Sequence, residues 1–123
     1  MTFLIDTHIF VWYSSGDSKL SQIQNPLNKI LVSKASLWEI AIKVSLKKLQ
    51  LGVSFENLEK YLQKCQFETL EFEHKDLQQL VRLPLHHRDP FDRLIISQAI
   101  TNNYTIITDD PKFHLYPAQL LQN

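Results

Sequence analysis

The sequence predicts an α/β fold, a central parallel sheet with helices on both faces. Stretches of strand character alternate with stretches at helical spacing along the chain. The strand-like stretches are short and almost uninterruptedly apolar, and no internal repeat or low-complexity segment breaks the pattern. Alternation calls for crossover connections, and parallel strands joined that way are covered on both faces, so they are apolar throughout rather than at every second position. At 123 residues, 44% hydrophobic and 21% charged, the chain is expected to form one domain over residues 1–123.

The first element is a buried strand over about residues 2–5, ending at Asp6, with a helix from Thr7. Lys29 to Ser33 (KILVS) is the second apolar run. In the following ASLWEIAIKVSLKKL, Leu37, Ile40, Ala41 and Val44 recur at helical spacing, and Ser36 and Glu39 stand at capping-box distance. Leu51 and Gly52 close that region. Phe55 to Gln63 is helical by pattern, with Ser54 as N-cap, and Phe67 to Phe72 alternates like a strand. A helix over Lys75 to Leu83 stops at Pro84, and PLHHRD forms a loop. Asp89 before Pro90 is a strong helix start, because aspartate caps and proline suits the first helical position; FDRLIISQAITNN follows. Tyr104 to Thr108 is a β-branched strand, and Asp110-Pro111 opens a short helix. The tail after Pro117 carries no readable pattern.

Charge and cysteine usage narrow the classes. Thirteen basic residues balance thirteen acidic ones, so global charge gives no support to a nucleic-acid binder, which then needs a local basic patch. The single cysteine, Cys65, permits no intrachain disulfide and is expected to be inert, in keeping with a cytoplasmic protein. The start, MTFLIDTHIFVW, lacks a basic leader region and is interrupted by Asp6, so neither a signal peptide nor a membrane span is expected.

The acids are the candidate chemistry. In open α/β sheets, ligands bind beyond the carboxyl ends of the strands. Asp6 ends the first strand, and Glu39 lies a helical turn beyond the end of the second. Asp89 and Asp92 open the helix that feeds the last clear strand, which Asp109 and Asp110 end. Two carboxylates ~4 Å apart repel by about 4 kcal/mol at an effective dielectric of about 20. Such a cluster either raises its own pKa values or holds a cation. Oxygen donors without a cysteine pair favour Mg²⁺ or Mn²⁺ over zinc, which suits phosphoryl chemistry without selecting RNA.

Each candidate also has a structural role open to it. Asp6, Asp89 and Asp110 suit helix caps, Glu39 a capping box with Ser36, and Asp92 the helix dipole. Arg93 stands to steer phosphate or pair with an acid, and Thr7 and Thr108 to orient a ligand or water or to cap. His86 and His87 are expected as solvated loop residues, and with His74 and His114 they spell no zinc site. Lys43, Lys47 and Lys48 suit a solvated face or an RNA-backbone contact, and Trp12 and Trp38 the core.

Four blocks, LIDTHIFVW, SLWEIAIKVSLKKL, HHRDPFDRLIISQA and IITDDPKF, resemble in order those of VapC-type PIN-domain toxins, over about residues 3–114. DPFDRLI followed by a T-x-D ending is the most specific part. The resemblance implies a three-layer sandwich and a metal-dependent endoribonuclease. It also implies a quartet, Asp6, Glu39, Asp92 and Asp110, holding one or two Mg²⁺ or Mn²⁺ ions to hydrolyse RNA. Asp109 occupies the middle of T-x-D, where such proteins often carry Arg or another residue, so the resemblance leaves Asp109 and Asp110 both open as the fourth acid. The featureless tail implies a missing or irregular last strand. A cognate antitoxin and a homodimer are implied as well. The alternative within the family is a catalytically silent RNA-binding or scaffold domain, which would lack part of the quartet. A haloacid-dehalogenase-like phosphatase would need an acid at His8, and a receiver domain an acidic pair near the first strand and a lysine after the last.

Overall fold

The computed structural model describes residues 1–16 and 25–122. Strands β1 (Thr2–Ile5), β2 (Lys29–Ser33), β3 (Glu68–Leu70), β4 (Thr105–Thr108) and β5 (Gln119–Gln122) form one sheet in the order β3-β2-β1-β4-β5. Every adjacent pair is parallel; Ile5, for example, stands opposite Val32 on one side and Ile107 on the other.

The pleat sends alternate residues into two separate cores. Phe3, Ile5, Ile30, Val32 and Ile107 enter one core, with Ile9 and Phe10 of helix α1 (Thr7–Ser14), Ile40 of α2 (Lys34–Ser45) and Leu58 and Leu62 of α3 (Leu58–Lys64). Leu4, Leu31 and Ile106 enter the other, where α4 (His74–Arg82) and α5 (Pro90–Asn102) pack, the latter through Leu94, Ile95, Ile96 and Ala99. The middle positions of the central strands are apolar without alternation because both of their faces are buried. Each such side chain contributes about 1.5–3 kcal/mol of transfer free energy. The expected three-layer α/β architecture is the one observed.

Several local expectations change. The serine that caps α2 is Ser33, whose hydroxyl accepts from the Ala35 N–H at 3.0 Å. The helix follows β2 without a loop, so Ser36 and Glu39 fall inside it and make no capping box. The reciprocal box belongs to Glu73 and Asp76 at the start of α4. The helix expected over Phe55 to Gln63 divides into a 3₁₀ turn, Phe55–Asn57, and α3. Asp89 does cap α5, with Pro90 at its first position. The tail is a regular strand: β5 pairs with β4 from Thr105↔Gln119 to Thr108↔Gln122. As an edge strand of sequence QLLQ it lacks the apolar run of a central strand, which is why its pattern is weak. Trp12 and Trp38 are 53% and 57% exposed, not core; Trp38 stands edge-on to Phe91 with ring centroids 5.2 Å apart. Gly52 lets the segment after α2 close on α1, since a Cβ there would lie 1.9 Å from the Ser14 carbonyl oxygen.

The chain runs outward from β1 to β2 and β3, then crosses to β4 on the other side of β1. That reversal makes the carboxyl ends of β1 and β4 the topological switch point, where open α/β sheets leave a crevice.

Candidate functional site

Asp6 sits at that crevice, directly after β1, and is buried. Its Oδ1 accepts from the Ile9 N–H at 2.8 Å and caps α1, while Oδ2 accepts from the Thr108 hydroxyl at the end of β4. The same hydroxyl accepts from the Asp110 N–H at 3.0 Å, so Thr108 joins the two strand ends. Burial raises the Asp6 pKa, the bonds from Thr108 and Ile9 oppose this, and the Asp110 charge adds a smaller upward push.

Glu39 reaches the same region from α2 and is 4% exposed. Its Oε2 accepts from Lys43 Nζ at 2.7 Å, one turn along the helix, and this bond is the main cause of a raised Lys43 pKa. Its Oε1 is buried without a hydrogen-bond partner among the described residues. An orphaned carboxylate oxygen is costly unless something cationic or hydrogen-bonding meets it.

Asp92 is the third residue of α5, buried, with Oδ2 3.3 Å from His87 Nε2. Its carboxyl is pushed up to about 8, first by burial and then by the charges of Asp89, Glu39, Asp6 and Asp110. The acids predicted from strand ends and helix starts therefore act on one another through space, as gathered like charges must. Asp110 caps the 3₁₀ segment Pro111–Leu115 through Lys112 N–H at 2.9 Å and raises both Asp6 and Asp92. Asp109 is exposed. Both line a cavity of about 530 Å³ with Asp6, His8, Ile9 and Trp12. Asp89 is a cap and a neighbour at once: its Oδ1 accepts from the Phe91 and Asp92 N–H groups, and its charge acts on Asp92.

Other expectations are redirected. Arg93 turns from the acids and donates to the carbonyls of Pro84 (2.8 Å) and Leu83 (3.3 Å) and to the Tyr116 hydroxyl (3.2 Å), closing the loop after α4 onto α5. Thr7 donates to Ser36 Oγ at 2.9 Å and ties α1 to α2. His87 is not a solvated loop residue; its side chain is 9% exposed and lies between Asp92 and Tyr116. Lys43 belongs to the acid cluster, and only Lys47 and Lys48 keep to the exposed face. The i,i+4 spacing of Glu39 and Lys43 was a usable signal for that pair. Nothing local announces Tyr116, 29 residues from His87.

Among the described residues, no three His, Cys, Asp or Glu side chains stand close enough together to hold a metal ion as they are. The convergence is electrostatic rather than a closed cage. Lys43 draws Glu39 to one side, while Thr108 and His87 engage Asp6 and Asp92. The donors nevertheless suit a hard divalent cation: all are carboxylate oxygens, and Glu39 Oε1 has no hydrogen-bond partner among the described residues.

The PIN domain family model matches residues 3–118. The fold is similar to that in the crystal structure of VapBC2 from Rickettsia felis bound to a DNA fragment from their promoter, with TM-score 0.77 and 23% identity over 100% of this chain and 99% of that one. VapBC-1 from nontypeable Haemophilus influenzae gives TM-score 0.72 at 16% identity, covering 99% and 98%. VapBC-5 from Mycobacterium tuberculosis, a member of the VapBC family of toxin-antitoxin systems, gives 0.63 at 19%, covering 98% and 96%. No curated protein matches the chain.

Proposed function

The chain belongs to the PIN domain family, and from that premise we propose that it is a divalent-metal-dependent endoribonuclease, the toxin of a toxin–antitoxin pair. One observation carries the proposal. At the switch point of the sheet, the buried Glu39 Oε1 has no hydrogen-bond partner among the described residues, beside an Asp92 carboxyl that burial and then the charges of Asp89, Glu39, Asp6 and Asp110 push up to about 8. A pocket so acidic is relieved by a cation, and divalent ions bridge carboxylates to phosphate oxygens.

Asp6, Glu39, Asp92 and Asp110 would hold the ion, Glu39 through the oxygen that Lys43 does not engage. When bound, a divalent cation supplies an activated water and neutralises charge on the phosphoryl group. The protein's own residues prepare the place. Thr108 donates to Asp6 and so favours its ionised form, while Lys43 balances half of Glu39. Asp89 starts α5 and thereby fixes Asp92 at its third position. The products expected are a 5′-phosphate and a 3′-hydroxyl. The VapBC structures of similar fold support a cognate antitoxin as partner. The resemblance to VapC-type toxins extends the proposal to a homodimer acting in the cytoplasm. No helix among the described residues is long and apolar enough to cross a membrane.

Incubating the chain with structured RNA and Mg²⁺ or Mn²⁺ tests the proposal. Cleavage should vanish with a chelator and fall roughly 100-fold in Asp6→Asn, the scale of losing one preorganised charge-stabilising group. Equal cleavage by both proteins, or cleavage that survives the chelator, refutes it.

A further inference from the structure

We infer that His87 is a positioning residue for the Asp92 carboxylate, locked by Tyr116 into the tautomer that carries its proton on Nε2. The inference rests on the proposal that Asp92 is a metal ligand, and adds the group that aims it.

Hydrogen-bond counting at one oxygen decides the tautomer. Three nitrogens surround the Tyr116 hydroxyl: Arg93 Nη1 at 3.2 Å, the His87 backbone N at 3.2 Å and His87 Nδ1 at 2.7 Å. The first two can only donate, and together they occupy the phenol's acceptor capacity. Arg93 is itself anchored on the Pro84 and Leu83 carbonyls, so its donation is fixed. What remains for Nδ1 is the phenolic proton. Were Nδ1 protonated instead, three N–H groups would converge on one oxygen and the phenolic proton would have no acceptor among the described residues. Tyr116 is 5% exposed, so that loss would go unrelieved. A neutral ring that accepts at Nδ1 carries its hydrogen on Nε2, the atom 3.3 Å from Asp92 Oδ2.

Consequently His87 presents an N–H, not a bare lone pair, to the carboxylate. It engages Oδ2 and restrains the rotation of the Asp92 side chain. Hydrogen bonds of this kind orient carboxylates that bind metals, and removing them typically weakens metal binding about 10–100-fold. The clamp also joins three parts of the chain: the loop after α4, the start of α5, and the segment following Asp110.

Long-range ¹H–¹⁵N spectra of the histidine side chains, recorded on the metal-free chain at mildly alkaline pH, read the tautomer directly. His87 should be protonated at Nε2 in the native protein, and Tyr116→Phe should shift it toward a mixture. In parallel, Mn²⁺ titration should show His87→Ala binding about 10–100-fold more weakly, with His87→Gln, whose amide N–H reaches toward the Nε2 position, restoring most of the affinity. Protonation at Nδ1 in the native protein, spectra unmoved by Tyr116→Phe, or equal weakening by the Ala and Gln variants would overturn the inference. The Tyr116→Phe and Gln variants keep it decidable if His87→Ala fails to fold. A native protein with the expected tautomer but no Mn²⁺ binding would sink the metal proposal and leave the tautomer lock in place.

Discussion

The acid cluster has two halves that are held differently. At the strand ends, Asp6 has both oxygens satisfied, one by the cap to Ile9 and one by Thr108, which in turn holds Asp110. On the helices, Glu39 keeps one oxygen without a partner among the described residues, and Asp92 carries the field of four neighbouring acids. The first half serves the fold whether or not a ligand arrives. The second half is repulsion that the fold tolerates. On the proposed function, the hydrogen bonds at Asp6 support fold and site together, although burial raises its pKa too. At Asp92 and Glu39, by contrast, stability and function oppose each other, the trade expected of a site built from like charges.

Asp92→Asn is the sharpest way to test that contrast. Cleavage should fall roughly 100-fold, while the metal-free protein becomes more stable at alkaline pH. The sign follows from linkage. The folded Asp92 pKa, about 8, lies above the ordinary value of 3.8, so its stabilising contribution is complete below about pH 4, declines from there to about 8 and is lost above. Above pH 8 the variant should exceed the native protein by about 1–2 kcal/mol, less than the whole shift because solvent screens part of it; at pH 4 the two should melt together. A variant less stable than the native protein at every pH would break the comparison.

Thr108→Val probes the other half. It removes the hydroxyl that serves Asp6 and Asp110, so it should destabilise by about 1–3 kcal/mol, the cost of a buried acceptor left unmatched. Unchanged thermal unfolding would mean that the strand-end half is not part of the fold's support. Lys43→Gln should have the smallest effect on stability. Lys43 is partly exposed and a glutamine there can still donate to Glu39, so losing the charge of this i,i+4 pair should cost about 0.3–0.5 kcal/mol. The same change frees charge on Glu39 and should tighten Mn²⁺ binding in a calorimetric titration; weaker binding would contradict the role given to the orphaned oxygen.

How much was legible depends on where each signal lies. The central strands announced themselves because burial on two faces makes their middle positions apolar without alternation, and Asp89-Pro90 marked the start of α5 by local chemistry alone. The acids were legible as strand ends and helix starts, since sheet topology brings such positions to one edge. β5 was not, because an edge strand is free to be polar. The tryptophans misled because size and hydrophobicity do not say which side of a helix faces out; Trp38 stays exposed while its neighbour Glu39 is buried. His87 and Tyr116 were hidden for a third reason. Their meaning comes from a contact across the fold, and no short window of sequence contains it.

The hydroxyl that links Asp6 to the end of β4 spans 102 positions of sequence. A polypeptide still being synthesised therefore displays its first acid long before the strand that completes the crevice has been made. Until Thr108 is added and β4 docks beside β1, the acid cluster is incomplete: a chain stopped upstream of that threonine lacks Asp110 as well as the bond to Asp6.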